Sequence, residues 1–138
     1  MICGTGVDII EIDRIKKAIQ RSSFVSRVFT ESEREICLSK SNYGAALAVR
    51  FAAKEAVLKA LGTGLRGCKW KDIEILSLPK GQPQVVLYGG AKNIAAQKGI
   101  TNIHITLSHS RGNAIAICIM EGEGVADEVG DCGRNALS

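Results

Sequence analysis

Hydrophobic and polar positions alternate most clearly toward the C-terminal end of the chain. Ile103, Ile105 and Leu107 fall on one side of an extended segment, with His104, Thr106 and Ser108 on the other, the period of two expected of a half-buried strand. Arg111, Gly112 and Asn113 turn the chain into the apolar run 114–120, read as a returning strand buried on both faces or at an interface. At the other end, 1–10 is β-branched and punctuated by glycine, consistent with a first strand that carries Asp8 near its end. Ile12, Ile15 and Ile19 then recur at helical spacing, with Arg14, Lys17 and Arg21 on the opposite side. Thr30 followed by Glu33 is a capped helix start, predicting a helix to about residue 38. After a polar break at 39–43, a long helix runs from about residue 45 and stops at Gly62 or Gly64.

Residues 72–78 and 84–88 read as two strands joined by the turn Pro79-Lys80-Gly81-Gln82-Pro83, and 89–98 as a helix closed by Gly99. The order β-α-α-α-β-β-α-β-β predicts one α+β domain with a mainly antiparallel sheet packed with helices. Apolar periodicity stops at residue 121. The domain is therefore expected over 1–120, with 121–138 as a flexible acidic and glycine-rich tail.

A chain of 138 residues, 46% hydrophobic and 23% charged, suffices for one domain with a real core. The net charge of +4 is mild, but its distribution is uneven. Arg14, Lys16, Lys17, Arg21 and Arg27 lie in a stretch without an acid, whereas the segment 121–131 holds acids and no base. A basic face of this kind suits an acidic partner, nucleic acid or protein, and suits equally a solvated helix face. Five cysteines with no CxxC spacing suggest neither a disulfide framework nor a zinc site, and favour a reducing compartment. No basic-then-apolar leader is present and no apolar run approaches the ~20 residues of a membrane span. The expected location is the cytoplasm, without a membrane partner.

The candidate chemistry lies in the long helix, 50–64. Glu55 and Lys59 are one turn apart on one face, and Arg50 and Lys54 form a second such pair. A carboxylate and several cations beside a small-residue seam suit an anionic ligand held with a metal ion, and Asp8 offers a second hard oxygen donor for magnesium. The same spacing also describes an ordinary surface ion pair. His104 and His109, five apart on a strand, point to opposite faces and so do not suit shared metal ligation. With Ser108, Ser110 and Arg111 they read better as phosphate donors. Gly4-Thr5-Gly6 is too short for a nucleotide-binding fingerprint.

Taken together, Gly4-Thr5-Gly6-Val7-Asp8-Ile9, Arg50-Phe51-Ala52-Ala53-Lys54-Glu55-Ala56, Gly62-Thr63-Gly64, Lys80-Gly81-Gln82-Pro83 and Ile105-Thr106-Leu107-Ser108-His109-Ser110 closely resemble the holo-[acyl-carrier-protein] synthase family, the small bacterial 4'-phosphopantetheinyl transferases. The resemblance extends from residue 1 to about 120. It implies transfer of 4'-phosphopantetheine from coenzyme A to a serine of apo-acyl carrier protein, with release of adenosine 3',5'-bisphosphate, in support of fatty acid biosynthesis. It implies Asp8 and Glu55 as Mg²⁺ ligands and, with Lys59, as the catalytic set; Lys59 would stabilise pyrophosphate charge or handle the serine proton. Arg50, Lys54, His104, Ser108 and His109 are implied on the coenzyme A side. Arg14 and Arg21, supported by Arg27, are implied in docking acyl carrier protein, which accounts for the basic stretch better than nucleic acid does. The low aromatic content of 4% also speaks against base stacking. The family's small members are homotrimers with active sites at subunit clefts, which matches the apolar final strand. Its larger relatives resemble two fused copies, and this chain has length for one.

Overall fold

The computed structural model describes residues 1–124. In chain order the elements are β1 (Ile2–Glu11), α1 (Ile12–Ala18), α2 (Ser22–Val28), α3 (Glu31–Leu38), α4 (Tyr43–Leu61), β2 (Ile73–Ser77), β3 (Pro83–Leu87), α5 (Gly89–Gln97), β4 (Ile100–His109) and β5 (Asn113–Gly122), with a short 3₁₀ turn, Trp70–Asp72, before β2. An antiparallel sheet of order β1-β5-β4 and a separate β2–β3 hairpin make the expected α+β architecture.

The long helix α4 is the axis of the molecule. Residues all round it are buried, from Ala45 and Leu47 to Ala60 and Leu61, as expected of a helix enclosed by other elements rather than lying on a surface. Asn42 caps its start, accepting from the Ala45 amide at 3.1 Å. Gly62 ends it with φ of 81°, a left-handed setting that glycine adopts without strain, its amide closing onto the carbonyls of Leu58 and Lys59. The predicted helix start at Thr30 is a complete capping box: Thr30 Oγ accepts from the Glu33 amide at 3.2 Å and Glu33 Oε1 accepts from the Thr30 amide at 2.8 Å.

Gly4 and Gly6 bring the sheet onto this axis. A Cβ on Gly4 would lie 2.0 Å from the Ala60 carbonyl oxygen, and one on Gly6 would lie 2.0 Å from that of Ala56. Only glycine lets β1 approach α4 so closely, and the small side chains of Ala56 and Ala60 supply the other half of the contact. The Gly4-Thr5-Gly6 motif therefore does packing work.

The strand register sorts the side chains onto two faces. Gly6, Asp8 and Ile10 pair with Cys118, Ala116 and Ala114, and this face turns toward the core, where Ala114, Ala116, Cys118 and Met120 are buried. Val7 and Ile9 pair with Ile117 and Ile115 on the outer face, where Val7, Ile9, Ile117 and Ile119 remain exposed. The final strand is thus buried on one face only, and its other face is apolar and open within a single chain. β5 also continues to Gly122, with Glu121 paired to Ile2 and Asn102, two residues past the expected domain boundary. The rest of the expected tail, 125–138, lies outside the described residues. Helix α2 was absent from the sequence reading. Its Phe24 packs edge-on to Phe29 and against Phe51, so a seven-residue helix is held by ring contacts that periodicity cannot display.

Candidate active site

Asp8 leaves β1 on the inward face, which aims its carboxylate at α4. There Lys59 Nζ donates to Asp8 Oδ1 at 3.2 Å and to the Val7 carbonyl at 2.9 Å. Lys59 is half exposed, so its ammonium keeps access to solvent, while the Asp8 side chain retains only 16% of its exposure. Glu55, one turn before Lys59 on α4, opens into the same cleft. Burial is the first cause that holds the Glu55 carboxyl above the usual carboxylate range, and the neighbouring Asp8 charge is the second. Lys59 and Arg14 oppose that rise without cancelling it. The site is a pair of acids pressed together beside one lysine, a place that favours added positive charge.

The cleft has a volume of about 960 Å³ and is walled on its far side by α1 and α2. Arg14, Arg21 and Arg27 line it, with Phe24 and Phe51 forming an apolar patch among them. Asp8, Glu55, Lys59, Arg14 and Arg21 are therefore brought together as expected. Phe24 and Phe51 were not among the expected site residues; no motif marks Phe24, and Phe51 reads only as part of the α4 motif. A smaller cavity of about 410 Å³ adjoins on the other side of Glu55 and Lys59, lined by Leu58, Gly62, Gly64, Leu65 and Trp70.

The remaining candidates lie elsewhere. Arg50 and His109 line a different cleft of about 500 Å³, which shares no wall residue with the first. Arg50 is 6% exposed, and its guanidinium donates to the carbonyls of Ile75 (3.3 Å) and Ala46 (3.4 Å) and to Ser77 Oγ (3.0 Å). Gly81 and Pro83 of the Lys80-Gly81-Gln82-Pro83 turn and Lys40 complete its rim. His104 and Ser108 pair with Ile119 and Ile115 and so stand on the outer sheet face, where His104 Nε2 meets Glu121 Oε1 at 2.6 Å. Neither of the two is among the residues that line the Arg50–His109 cleft of the single chain.

Lys54 also departs from the reading. Its ammonium has no exposure, sits 2.8 Å from Glu33 Oε1, and donates to the Trp70 carbonyl at 3.1 Å and to the Ile73 carbonyl. A cation enclosed on all sides does not meet a substrate, so the substrate-binding role expected of Lys54 is withdrawn. Helical spacing from Arg50 gave its face correctly but not the α3 and β2 elements that cover that face.

Residues 4–118 match the 4'-phosphopantetheinyl transferase superfamily. The chain is 47% identical over 129 residues to the holo-[acyl-carrier-protein] synthase of Clostridium perfringens, an alignment that covers 89% of this chain and 96% of that protein. The chain belongs to the holo-[acyl-carrier-protein] synthases of this superfamily. Membership makes it an enzyme of the 4'-phosphopantetheinyl transferase class. A second synthase, from Caldanaerobacter subterraneus, is 49% identical over 118 residues, covering 85% of this chain and 93% of that one. Among solved structures, the Bacillus anthracis synthase in complex with CoA (3',5'-ADP) superposes with a TM-score of 0.74 at 33% identity, covering 89% of this chain and 99% of its own. The synthase fold is thus matched by sequence and by shape.

Proposed function

We propose that the protein transfers 4'-phosphopantetheine from coenzyme A to a serine hydroxyl of apo-acyl carrier protein, in a Mg²⁺-dependent reaction that releases adenosine 3',5'-bisphosphate and supplies fatty acid biosynthesis. The observation that carries this reading is the convergence of Asp8, Glu55 and Lys59 in a cleft whose opposite wall is basic. The relatives' name and the coenzyme A complex of the Bacillus anthracis synthase support the two substrates.

The donor set fits a hard divalent cation. Asp8 and Glu55 supply two carboxylates, and among the described residues no third His, Cys, Asp or Glu joins them in a closed cage. Such a half-shell suits magnesium, which keeps waters and takes substrate phosphate oxygens. Asp8 and Glu55 would hold Mg²⁺, whose chemistry when bound is to neutralise charge on the pyrophosphate oxygens. Lys59 adds a fixed positive charge on an ammonium that solvent still reaches, and it steers Asp8 through the 3.2 Å contact. In the transfer the serine Oγ forms a bond to the β-phosphorus and loses its proton, while the bond from that phosphorus to the bridging oxygen of the pyrophosphate breaks. Arg14, Arg21 and Arg27 would receive an acidic helix of the carrier protein across the cleft, with Phe24 as an apolar contact between them.

The open apolar strip of Val7, Ile9, Ile117 and Ile119 supports self-association as a homotrimer. Packing of copies over the outer sheet face would let the Arg50–His109 cleft of one chain complete the Asp8–Glu55 cleft of another for coenzyme A. No helix among the described residues is long and apolar enough to cross a membrane, in keeping with a cytoplasmic enzyme. The proposal is tested by incubating apo-acyl carrier protein with the protein, coenzyme A and Mg²⁺. Mass spectrometry should show one phosphopantetheine added, and no addition with EDTA present.

A further inference from the structure

Lys54 is buried without exposure, and so is its partner Glu33. The two join three elements at one point. Glu33 Oε2 accepts from the Ile75 amide at 2.9 Å while Oε1 caps α3 through the Thr30 amide and meets Lys54. Lys54 in turn binds the carbonyls of Trp70 and Ile73, and its ammonium lies 5.9 Å from the centre of the Phe29 ring. The clamp therefore holds α3, the Trp70 turn and β2 against α4, one residue before Glu55. Trp70 continues outward, stacked on Phe51 with centroids 5.2 Å apart, and forms a wall of the cavity shared with Glu55 and Lys59.

A clamp of this kind is not explained by stability. Both side chains are fully buried, and the desolvation of two such charges offsets much or all of what their attraction returns. Leucine or methionine would fill the same volume without that cost. What a hydrophobic side chain lacks is direction: three oxygen acceptors, on α3, the Trp70 turn and β2, fix where the ammonium, and with it the helix, must sit. We propose that Lys54 is a positioning residue that, through Glu33 and the Trp70 carbonyl, sets the rotation of α4 and the place of the Trp70 turn so that Glu55 faces the cleft. The inference rests on the transferase reading above.

Its test compares Lys54→Met and Glu33→Gln with Leu47→Ala, a buried truncation two turns earlier on the same helix that lowers stability without touching the clamp. Each variant is assayed for kcat, KM for carrier protein and half-saturating Mg²⁺, with rates expressed per folded molecule. Acrylamide quenching of Trp70, the single tryptophan, reads the turn directly and independently of turnover. A shift of about 1 Å at a reacting group costs on the order of 100-fold in rate. The expected result is therefore a kcat lowered roughly 10- to 100-fold in both clamp variants, with a higher Mg²⁺ requirement, an unchanged KM for carrier protein and a more exposed Trp70. Leu47→Ala should melt earlier with wild-type kcat and quenching. If Lys54→Met does not fold, Glu33→Gln decides alone. Clamp variants that behave as Leu47→Ala does, losing only thermal stability, would overturn the positioning role. Wild-type protein that transfers nothing would instead remove the transferase reading and this inference together.

Discussion

Asp8 and Glu55 reach the same cleft from a strand and a helix that are distant in the chain, and Lys59 touches the first of them. Removing either carboxylate takes away one of two hard donors while leaving the core untouched. Asp8→Ala and Glu55→Ala are accordingly expected to lower kcat by about 10²–10³-fold, the range for losing one group that stabilises transition-state charge. Circular dichroism should remain that of the wild type. Lys59→Ala should also reduce kcat, since it removes a cation directed into the cleft. At this scale the sequence was most legible where geometry is local: one helical turn fixes Glu55 and Lys59 on a common face. It was least legible where a neighbour decides the role. Lys54 is implied on the coenzyme A side by the resemblance, yet α3 and β2 cover it, and the register of His104 with Ile119 sets its side chain on the outer sheet face.

Between β1 and α4 the fit is set by two glycines. Gly6→Ala places a methyl group about where the Ala56 carbonyl already lies, and β1 must move to make room. Overpacking of this order costs about 1–3 kcal/mol, which denaturant titration would register, and the displaced Asp8 should raise the Mg²⁺ requirement as well. β5 contributes a pH signature. Burial pushes the Cys118 thiol up to about 12. The folded state thus holds this proton more tightly than the unfolded chain does. Its contribution is complete below the ordinary thiol range and is lost as pH rises from there toward about 12, at no more than about 1.4 kcal/mol per pH unit. Melting temperatures measured from pH 8 to 11 should fall more steeply for the wild type than for Cys118→Ala. Periodicity gave β4, the hairpin, α4 and the capped α3 because each carries its own pattern. It gave β5 over 114–120 but not which face is buried, since alternating small and β-branched apolar residues look alike to a pattern whose two faces differ in partner rather than in polarity. It missed α2 because the ring contacts of Phe24 with Phe29 and Phe51, not propensity, hold that segment.

For the molecule as a whole, the outer sheet face and the basic cleft point to two kinds of association. Ile117→Lys places a charge in the middle of the exposed apolar strip. Light scattering after gel filtration should show a trimer for the wild type and smaller species for the variant, with activity lost alongside assembly. Arg21→Glu should instead leave assembly intact and raise KM for carrier protein, with a weaker salt dependence, because the basic wall acts through long-range charge. Everything above turns on phosphopantetheine transfer at the Asp8–Glu55 cleft. The most direct measurement is the intact mass of an apo-acyl carrier protein after incubation with the protein, coenzyme A and Mg²⁺. The expected result is a gain of one phosphopantetheine that disappears with EDTA and with Glu55→Ala. An unchanged mass across several carrier proteins, or a gain that survives Glu55→Ala, would contradict it.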